Sequence, residues 1–355
     1  MREVTPSVAS PSRRLVTAGA LGAVVVALSG CGIRLEDDAP RVPLVPTREP
    51  IDAEDALVRL LEAVQAAATA PLLTTDPLAP LLPPLHARQA TVLHDALRQR
   101  GVPEDDLSTA SASPTPTSTT PSPSASGTAS PSASASGSTA VPPVVRTVAE
   151  VESAILAAGA GLAGAEAELR PTLVAVMGQA DAAVQLAAPS PTATAPPTQA
   201  TPTASPTAST SASPDEPPAW STPSALVPLI TATRRATFLL EVAAARSPKG
   251  VRAAWLRDIT ELQALTADLV DAAGEVAPPP DLGQTLPSPV TTPAQVLTLA
   301  TEALSTLLAT TGANLRPLTD ADPGAAFASV PGWLGTVAAV AHRHGIRLTP
   351  FPGLA

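Results

Sequence analysis

Residues 229–242 read LITATRRATFLLEV, and the pattern in this stretch decides the fold. Its apolar residues predict a packed α-helix. Arg234 and Arg235 are adjacent and would point about 100° apart on a helix, so at most one of them can face the interior fully. Glu241 follows Arg234 by seven residues, which is too far for a standard i,i+4 pair. The arginines therefore indicate the polar edge of a helix, with an anion site or the remnant of a metal site as alternatives.

The same periodicity predicts three more helices in the C-terminal part of the chain. Trp255, Ile259 and Leu262 share one face of the second helix at three- and four-residue spacing. The four helices are expected to begin at Thr222-Pro223, at Ser247-Pro248, at a capping box formed by Thr292 and Gln295, and after Ser329–Pro331, with the last one ending at Gly345. Trp220, Trp255 and Trp333 are predicted to be core anchors.

Four helices are also predicted before Ala188. The first begins with Asp52 as its N-cap, and the second follows Asp76-Pro77. Residues 146–188 are expected to form two helices, divided near Pro171. Strand-like alternation is missing from the sequence, so the predicted fold class is all-α. It comprises two helical bundles, of which the C-terminal one has four helices.

Tracts of low complexity separate the helical segments. Residues 108–140 contain only Ser, Thr, Ala, Pro and Gly, and such a composition cannot bury a core and predicts disorder. The predicted organisation is a lipoprotein signal peptide at 1–30, a Pro-rich stalk at 31–50, a helical pair at 51–107, a disordered tract at 108–140, helices completing an N-terminal bundle at 141–188, a second disordered tract at 189–217, and the C-terminal bundle at 218–355.

The N-terminus resembles a bacterial lipoprotein signal. Arg13 and Arg14 precede an apolar run that is short for a membrane span. The run ends in Leu28-Ser29-Gly30-Cys31, which resembles a lipobox, and Cys31 is the only cysteine of the chain. Cys31 is therefore the predicted lipid attachment site, and the protein is expected on the outer face of the cell membrane. Arg13 and Arg14 leave export by the general or the twin-arginine route open.

The charge of the chain limits its partners. The formal net charge is −10, with 31 acidic and 21 basic residues among 355. Phosphate binding needs clustered Lys and Arg, so a nucleic-acid partner is not expected. The predicted partners are the membrane, through Cys31, and an envelope protein or cell-wall component.

Several stretches resemble a ferritin-like family of unknown function found in actinobacterial lipoproteins. They are ALVPLITATRRATFLLEVAAARSP at 225–248, RAAWLRDITELQALTADLVDAAGEVAPPP at 252–280, LPSPVTTPAQVLTLATEALSTLLATTGANLR at 286–316, FPGL at 351–354, and PLAPLLPPLHARQATVLHDAL at 77–97. The resemblance implies a ferritin-like C-terminal bundle. Family members usually carry a Glu-His pair in the first helix of this domain, where this chain has Thr233 and Arg234. The metal-ligand motif is therefore absent.

Histidines provide the remaining metal candidates. His86 and His94 are eight residues apart on a predicted helix and could share a broad face, and a metal site there would need carboxylates from a neighbouring helix, with Glu54 and Glu62 as the nearest candidates. The alternative is that both are half-exposed polar residues of a bundle. His342 and His344 are expected at the negative end of the last helix dipole.

No cofactor, catalytic residue or metal site is predicted. The sequence has no Gly-x-Ser-x-Gly elbow and no phosphate-binding loop after a strand. We expect a non-catalytic binding or scaffold module of the cell envelope. A ferritin-like metal protein with an unorthodox site at His86 and His94 is the alternative, and an envelope hydrolase is a third.

Overall fold

The computed structural model describes residues 48–108, 145–188, 219–281 and 283–354. These residues form α-helices without a β-strand, which confirms the all-α class. The helices are α1 Glu54–Thr69, α2 Leu82–Gln99, α3 Glu104–Ser108, α4 Val148–Ala158, α5 Arg170–Ala187, α6 Val227–Arg246, α7 Lys249–Ala273, α8 Pro293–Ala321 and α9 Pro323–Arg343. The four predicted C-terminal helices are α6 to α9, and the predicted division of residues 146–188 corresponds to α4 and α5.

Helices α5 and α9 form the most extensive helix–helix contact. Residues 173–180 of α5 are buried without interruption, as expected for a helix that is apolar on all sides. Gly178 allows the close approach, because a Cβ atom there would lie 2.6 Å from Leu334 Cδ2 of α9. The sequence predicted two bundles. In the structure, α5 packs against α4 and α9, and α9 also packs against α7 and α8, so the predicted bundles are joined through α5 and α9 in one compact unit, Glu49–Ala355.

The beginnings of three helices differ from the sequence prediction. The second helix was expected to follow Asp76-Pro77, but α2 begins at Leu82. The last helix was expected after Ser329–Pro331, but α9 begins at Pro323, and Asp322 caps it by accepting from the Ala325 N–H. Pro331 was expected to mark the start of the helix because proline has no N–H to donate, but it lies inside α9. Asp52 is not the cap of α1 either. The N-cap there is Ala53, with φ 58°, and its side chain cannot accept a hydrogen bond.

The predicted capping box at α8 is confirmed. Thr292 accepts from the Gln295 N–H, and the Gln295 side chain accepts from the Thr292 N–H. A second capping box, formed by Thr147 and Glu150, begins α4. At the end of α9, Gly345 has φ 87°, a left-handed conformation that favours glycine, so the predicted end of this helix is also confirmed.

All three tryptophans belong to the core, as predicted. Trp220 and Trp333 are 9% exposed and Trp255 is 4% exposed. The rings of Trp220 and Trp333 stack, with centroids 5.9 Å apart and planes 17° from parallel. This pair joins the segment before α6 to α9.

Helices α8 and α9 are long and apolar enough to cross a membrane, by length and composition. Both also contribute buried residues to the core cluster around α6 to α9. Packing in this core therefore accounts for their apolar composition.

Candidate functional site

A cleft of about 920 Å³ lies beside α5, α7 and α9. A site of this size is within the range of small-molecule pockets. The stacked pair Trp220 and Trp333 forms part of its wall. Its polar lining residues are Asp181, Gln185, Glu261, Asp268, Asp271, Ser329 and Thr336.

Asp181 on α5 is a half-buried carboxylate of the cleft. Gln185 Nε2 donates to Asp181 Oδ2 at 2.6 Å and to Thr336 Oγ1 of α9 at 3.2 Å. Gly335 leaves room for this carboxylate, because a Cβ atom at that position would lie 2.8 Å from Asp181 Cγ. Burial raises the pKa of Asp181, and the hydrogen bond from Gln185 offsets only part of that effect. The carboxyl group is thus held at a fixed place without a cationic partner among the described residues.

The other three acids of the cleft lie on α7. Glu261, Asp268 and Asp271 are separated by seven and three residues, a spacing that places them along one side of the helix. Asp268 and Asp271 are exposed to solvent. The described lining of the cleft contains four carboxylates and no Arg, Lys or His, so its charge is negative.

An ion-pair cluster at one end of the cleft joins α7 to α9. Asp258 is 1% exposed, and its two oxygens accept from Arg343 Nε and from His344 Nε2, each at 2.8 Å. Arg343 also pairs with Glu261, and the His344 ring stacks on Trp255 with centroids 4.3 Å apart.

The electrostatics of Asp258 follow from this cluster. Burial by itself would raise the pKa of Asp258, but the hydrogen bond from His344 and the charges of Arg343, His344 and Arg257 outweigh it, so the pKa is lowered. His344 was expected to interact with the negative end of the helix dipole, and the structure adds Asp258 as a specific partner. His342 Nδ1 lies 3.2 Å from the Ile346 carbonyl oxygen.

A second polar cluster is buried completely, between α2, α4 and α5. His86 Nε2 lies 2.8 Å from Glu152 Oε1, and His86 Nδ1 lies 3.0 Å from Gln89 Oε1. Gln89 Nε2 donates to Gln179 Oε1 at 3.0 Å and to the Pro350 carbonyl oxygen at 2.6 Å. All four side chains are 0% exposed. Glu152 Oε2 and Gln179 Nε2 have no hydrogen-bond partner among the described residues.

The proton positions in this cluster follow from its donors. Because Gln89 Nε2 donates twice, its Oε1 accepts, and His86 Nδ1 therefore carries a hydrogen. Burial alone would lower the pKa of His86, but the hydrogen bond and charge of Glu152 raise it overall. Burial raises the pKa of Glu152, and His86 opposes this only in part. One proton is thus held between the imidazole and the carboxyl group.

The structure does not bring the predicted metal candidates together. His86 is buried against Glu152, whereas His94 is 25% exposed at its side chain and pairs with Glu104. His94 is therefore half-exposed, as the alternative expected, but His86 is not. Glu54 accepts from the Ile51 N–H and lines a separate pocket together with Glu62. In the described part of the chain, no group of three or more His, Cys, Asp or Glu side chains could hold a metal ion.

The two arginines of 229–242 also have structural partners. Arg234 donates to the Pro278 carbonyl oxygen at 2.6 Å, and Arg235 donates to Gln284 and to the Thr285 carbonyl oxygen. Both therefore fix the segment after α7, as residues of a polar helix edge. Thr233 is 1% exposed and donates to the Leu229 carbonyl oxygen, so this side chain is part of the core.

Sequence reasoning missed Glu152, Gln179 and Asp181 as members of polar sites. Each lies in an alanine- and valine-rich helix and matches no motif. The one signal was the presence of isolated polar residues, such as Gln179, within a stretch that is otherwise apolar. The predicted lipidation residue Cys31 and the signal residues Arg13, Arg14, Leu28, Ser29 and Gly30 lie outside the described residues.

Comparison with known proteins gave no match. No family model matches the chain, and neither a curated protein nor a solved structure matches it. The resemblance to a ferritin-like lipoprotein family therefore stays a prediction.

Proposed function

We propose that this chain is a lipid-anchored protein of the cell envelope that binds a ligand in the cleft beside α5, α7 and α9, without a chemical step. The cleft carries the binding part of this proposal. It combines an apolar tryptophan wall with a few polar groups, which is the usual composition of a binding site.

The arrangement of the polar groups favours binding over catalysis. Asp181 is restrained by Gln185, which in turn contacts Thr336 on a different helix. These groups can orient a ligand by hydrogen bonds and charge. Gln185 lies on α5 and Thr336 lies on α9. Groups carried by helices keep the geometry of a site better fixed than groups carried by loops.

The anchor part of the proposal depends on Cys31 and the three residues before it. Leu28, Ser29 and Gly30 supply the apolar and small residues that a lipobox needs, and Cys31 supplies the thiol. A lipid on Cys31 would place residues 48–354 outside the membrane, where the cleft faces envelope components.

Fractionation of cells tests the anchor. The chain should sediment with membranes and incorporate an alkyne-labelled fatty acid, whereas Cys31→Ser should lose the label and leave the membrane fraction. Ser29→Ala is the matched control, because alanine keeps the small residue that the lipobox requires and should behave as wild type. A Cys31→Ser chain that still sediments with membranes would refute the anchor.

A screen with three classes of small molecule tests the binding part. Spermidine, chitotetraose and citrate represent cationic, neutral and anionic ligands. Tryptophan fluorescence is a direct readout, because Trp220 and Trp333 line the cleft and the chain contains no tyrosine. A saturable response to at least one class supports a binding cleft. The absence of any response, also by calorimetry, would contradict it.

A further inference from the structure

The geometry points to a linear aliphatic amine with two or more ammonium groups as the ligand of the cleft. This inference rests on the proposed binding function and specifies its ligand class. It is carried by the volume of the cleft, the position of Asp181 and the row of acids on α7.

Charge is the first step of the argument. Asp181 is half-buried, and burial of a carboxylate without a cation nearby is unfavourable. Glu261 is already paired with Arg343, but Asp268 and Asp271 make no ion pair with a described residue. Three carboxylates of the cleft are thus without a positive partner. A cationic ligand would supply it, and an anionic ligand would be repelled.

The spacing of the acids indicates an elongated ligand. The three carboxylates without a positive partner lie on two helices, Asp181 on α5 and Asp268 and Asp271 on α7. The carboxylates do not converge on one point, and no described group of acids could hold a single metal ion. Several ammonium groups on one flexible chain can meet carboxylates arranged in this way. A compact divalent cation can meet only one of them at a time.

The apolar part of the lining matches the methylene segments of such an amine. Ala264, Leu265 and Ala272 alternate with the acids along α7, and the pair Trp220 and Trp333 faces the same cleft. An ammonium group near a tryptophan face is attracted by the ring, and methylene groups gain from leaving water. A neutral sugar could also use the tryptophans, but it would leave the carboxylates unpaired.

Calorimetry and tryptophan fluorescence of the purified full-length chain in a non-ionic detergent test the inference. Spermidine is the probe, and butylamine and magnesium chloride are the comparison ligands. Spermidine should bind saturably with one site per chain. Butylamine and magnesium should each bind at least about tenfold more weakly, since each can satisfy one carboxylate. Raising sodium chloride should weaken spermidine binding through screening.

Variants locate the site. Each exposed carboxylate–ammonium pair changes an affinity by up to about fivefold. The double variant Asp268→Asn/Asp271→Asn and the single variant Asp181→Asn should therefore weaken spermidine binding by about tenfold and by severalfold, respectively. Glu168→Gln/Glu302→Gln is the matched control, because it removes two exposed carboxylates that do not line the cleft. It should change the affinity less than about twofold.

The outcomes separate this inference from the proposed function. If the control variant weakens spermidine as much as the cleft variants do, binding follows net charge and the inference is wrong. If spermidine fails but chitotetraose or citrate binds, the ligand class is wrong while the binding cleft stands. If none of the three probes binds, the inference and the binding function are refuted together.

Discussion

The buried pair of His86 and Glu152 gives the most informative test of the fold. Both side chains are 0% exposed, and the pair joins α2 to α4. Glu152→Ala would leave the His86 imidazole without its partner in a site that water does not reach. Breaking a buried pair in this way typically costs about 3–5 kcal/mol. Since a domain is stabilised by about 5–15 kcal/mol, this is a large fraction of the total.

Two further variants separate the pair from simple loss of volume. Glu152→Gln keeps the shape, and its amide can donate to His86 Nε2, so we expect a cost of about 1–2 kcal/mol. In the double variant His86→Ala/Glu152→Ala, the second substitution removes a group that has already lost its partner. The sum of the two single losses of unfolding free energy should therefore exceed the loss in the double variant by about 2 kcal/mol or more.

Urea unfolding measures these effects with two signals. All three tryptophans lie in the part of the chain that contains α6 to α9, whereas circular dichroism reports every helix. Because α5 packs along α9, Glu152→Ala on α4 should move the midpoints of both signals together. A loss below about 1 kcal/mol, or single effects that add within about 0.5 kcal/mol, would refute the importance of the pair. A shift of the circular dichroism alone would refute the cooperative unit.

The pair also predicts a direction for the pH dependence. The pKa of His86 is raised above its usual 6.5, so the stability from its bound proton is complete below pH 6.5 and is lost as the pH rises through the folded value. The pKa of Glu152 is raised above 4.5 and acts in the same direction. The difference in unfolding free energy between wild type and the double variant should therefore shrink as the pH rises, from pH 4.5 for the Glu152 carboxyl group and from pH 6.5 for the His86 imidazole, by at most about 1.4 kcal/mol per unit for each proton. A difference that grows with pH would contradict this proton placement.

Two other predictions concern contacts between separate segments of the structure. Asp258→Asn should cost about 2 kcal/mol at neutral pH, because an amide cannot accept from both Arg343 and His344 as the carboxylate does. Since the pKa of Asp258 is lowered below 3.8, urea unfolding should show the wild-type advantage at neutral pH and its loss as the pH falls below that value. Gly312→Ala would place a Cβ atom against the Gly353 carbonyl oxygen and should destabilise by about 1–3 kcal/mol, whereas Gly332→Ala, which meets no atom within 4 Å, should stabilise α9 by up to about 1 kcal/mol. Equal thermal shifts for the two glycine variants would contradict the described packing.

The helices were predictable because their signals are local. The Thr292–Gln295 capping box and the spacing of Trp255, Ile259 and Leu262 each lie within a few residues of one another. Boundaries failed where the local signal was ambiguous. Pro331 was interpreted as the entry to the last helix because proline usually marks a boundary, but Asp322 and Pro323 supply a cap and a first position earlier in the chain.

The partners of His86 could not be predicted for a different reason. His86 and Glu152 are 66 residues apart, and the low-complexity tract 108–140 lies between them in the sequence. Glu54 and Glu62, on the neighbouring predicted helix, were the expected carboxylates, yet in the structure they line a pocket at α1 instead. Periodicity shows which residues of a helix are buried, but it does not show which helix lies opposite. That choice depends on how α4 and α5 pack, which spacing does not encode.

The same limitation explains why the cleft has no sequence signature. Asp181 and Gln185 lie on α5, before the second low-complexity tract, whereas Asp268 and Trp333 lie far beyond it. No motif can span such a separation at a fixed spacing. The cleft exists because α5 is apolar enough to pack along α9, and because Gly178 and Gly335 remove the side chains that would hold the two helices apart. At Gly335 the space is taken by the Asp181 carboxylate itself, so helix packing and the position of the acid have one cause. Gly335→Ala should therefore weaken both spermidine binding and stability, whereas Asp181→Asn, which keeps the shape, should weaken mainly binding.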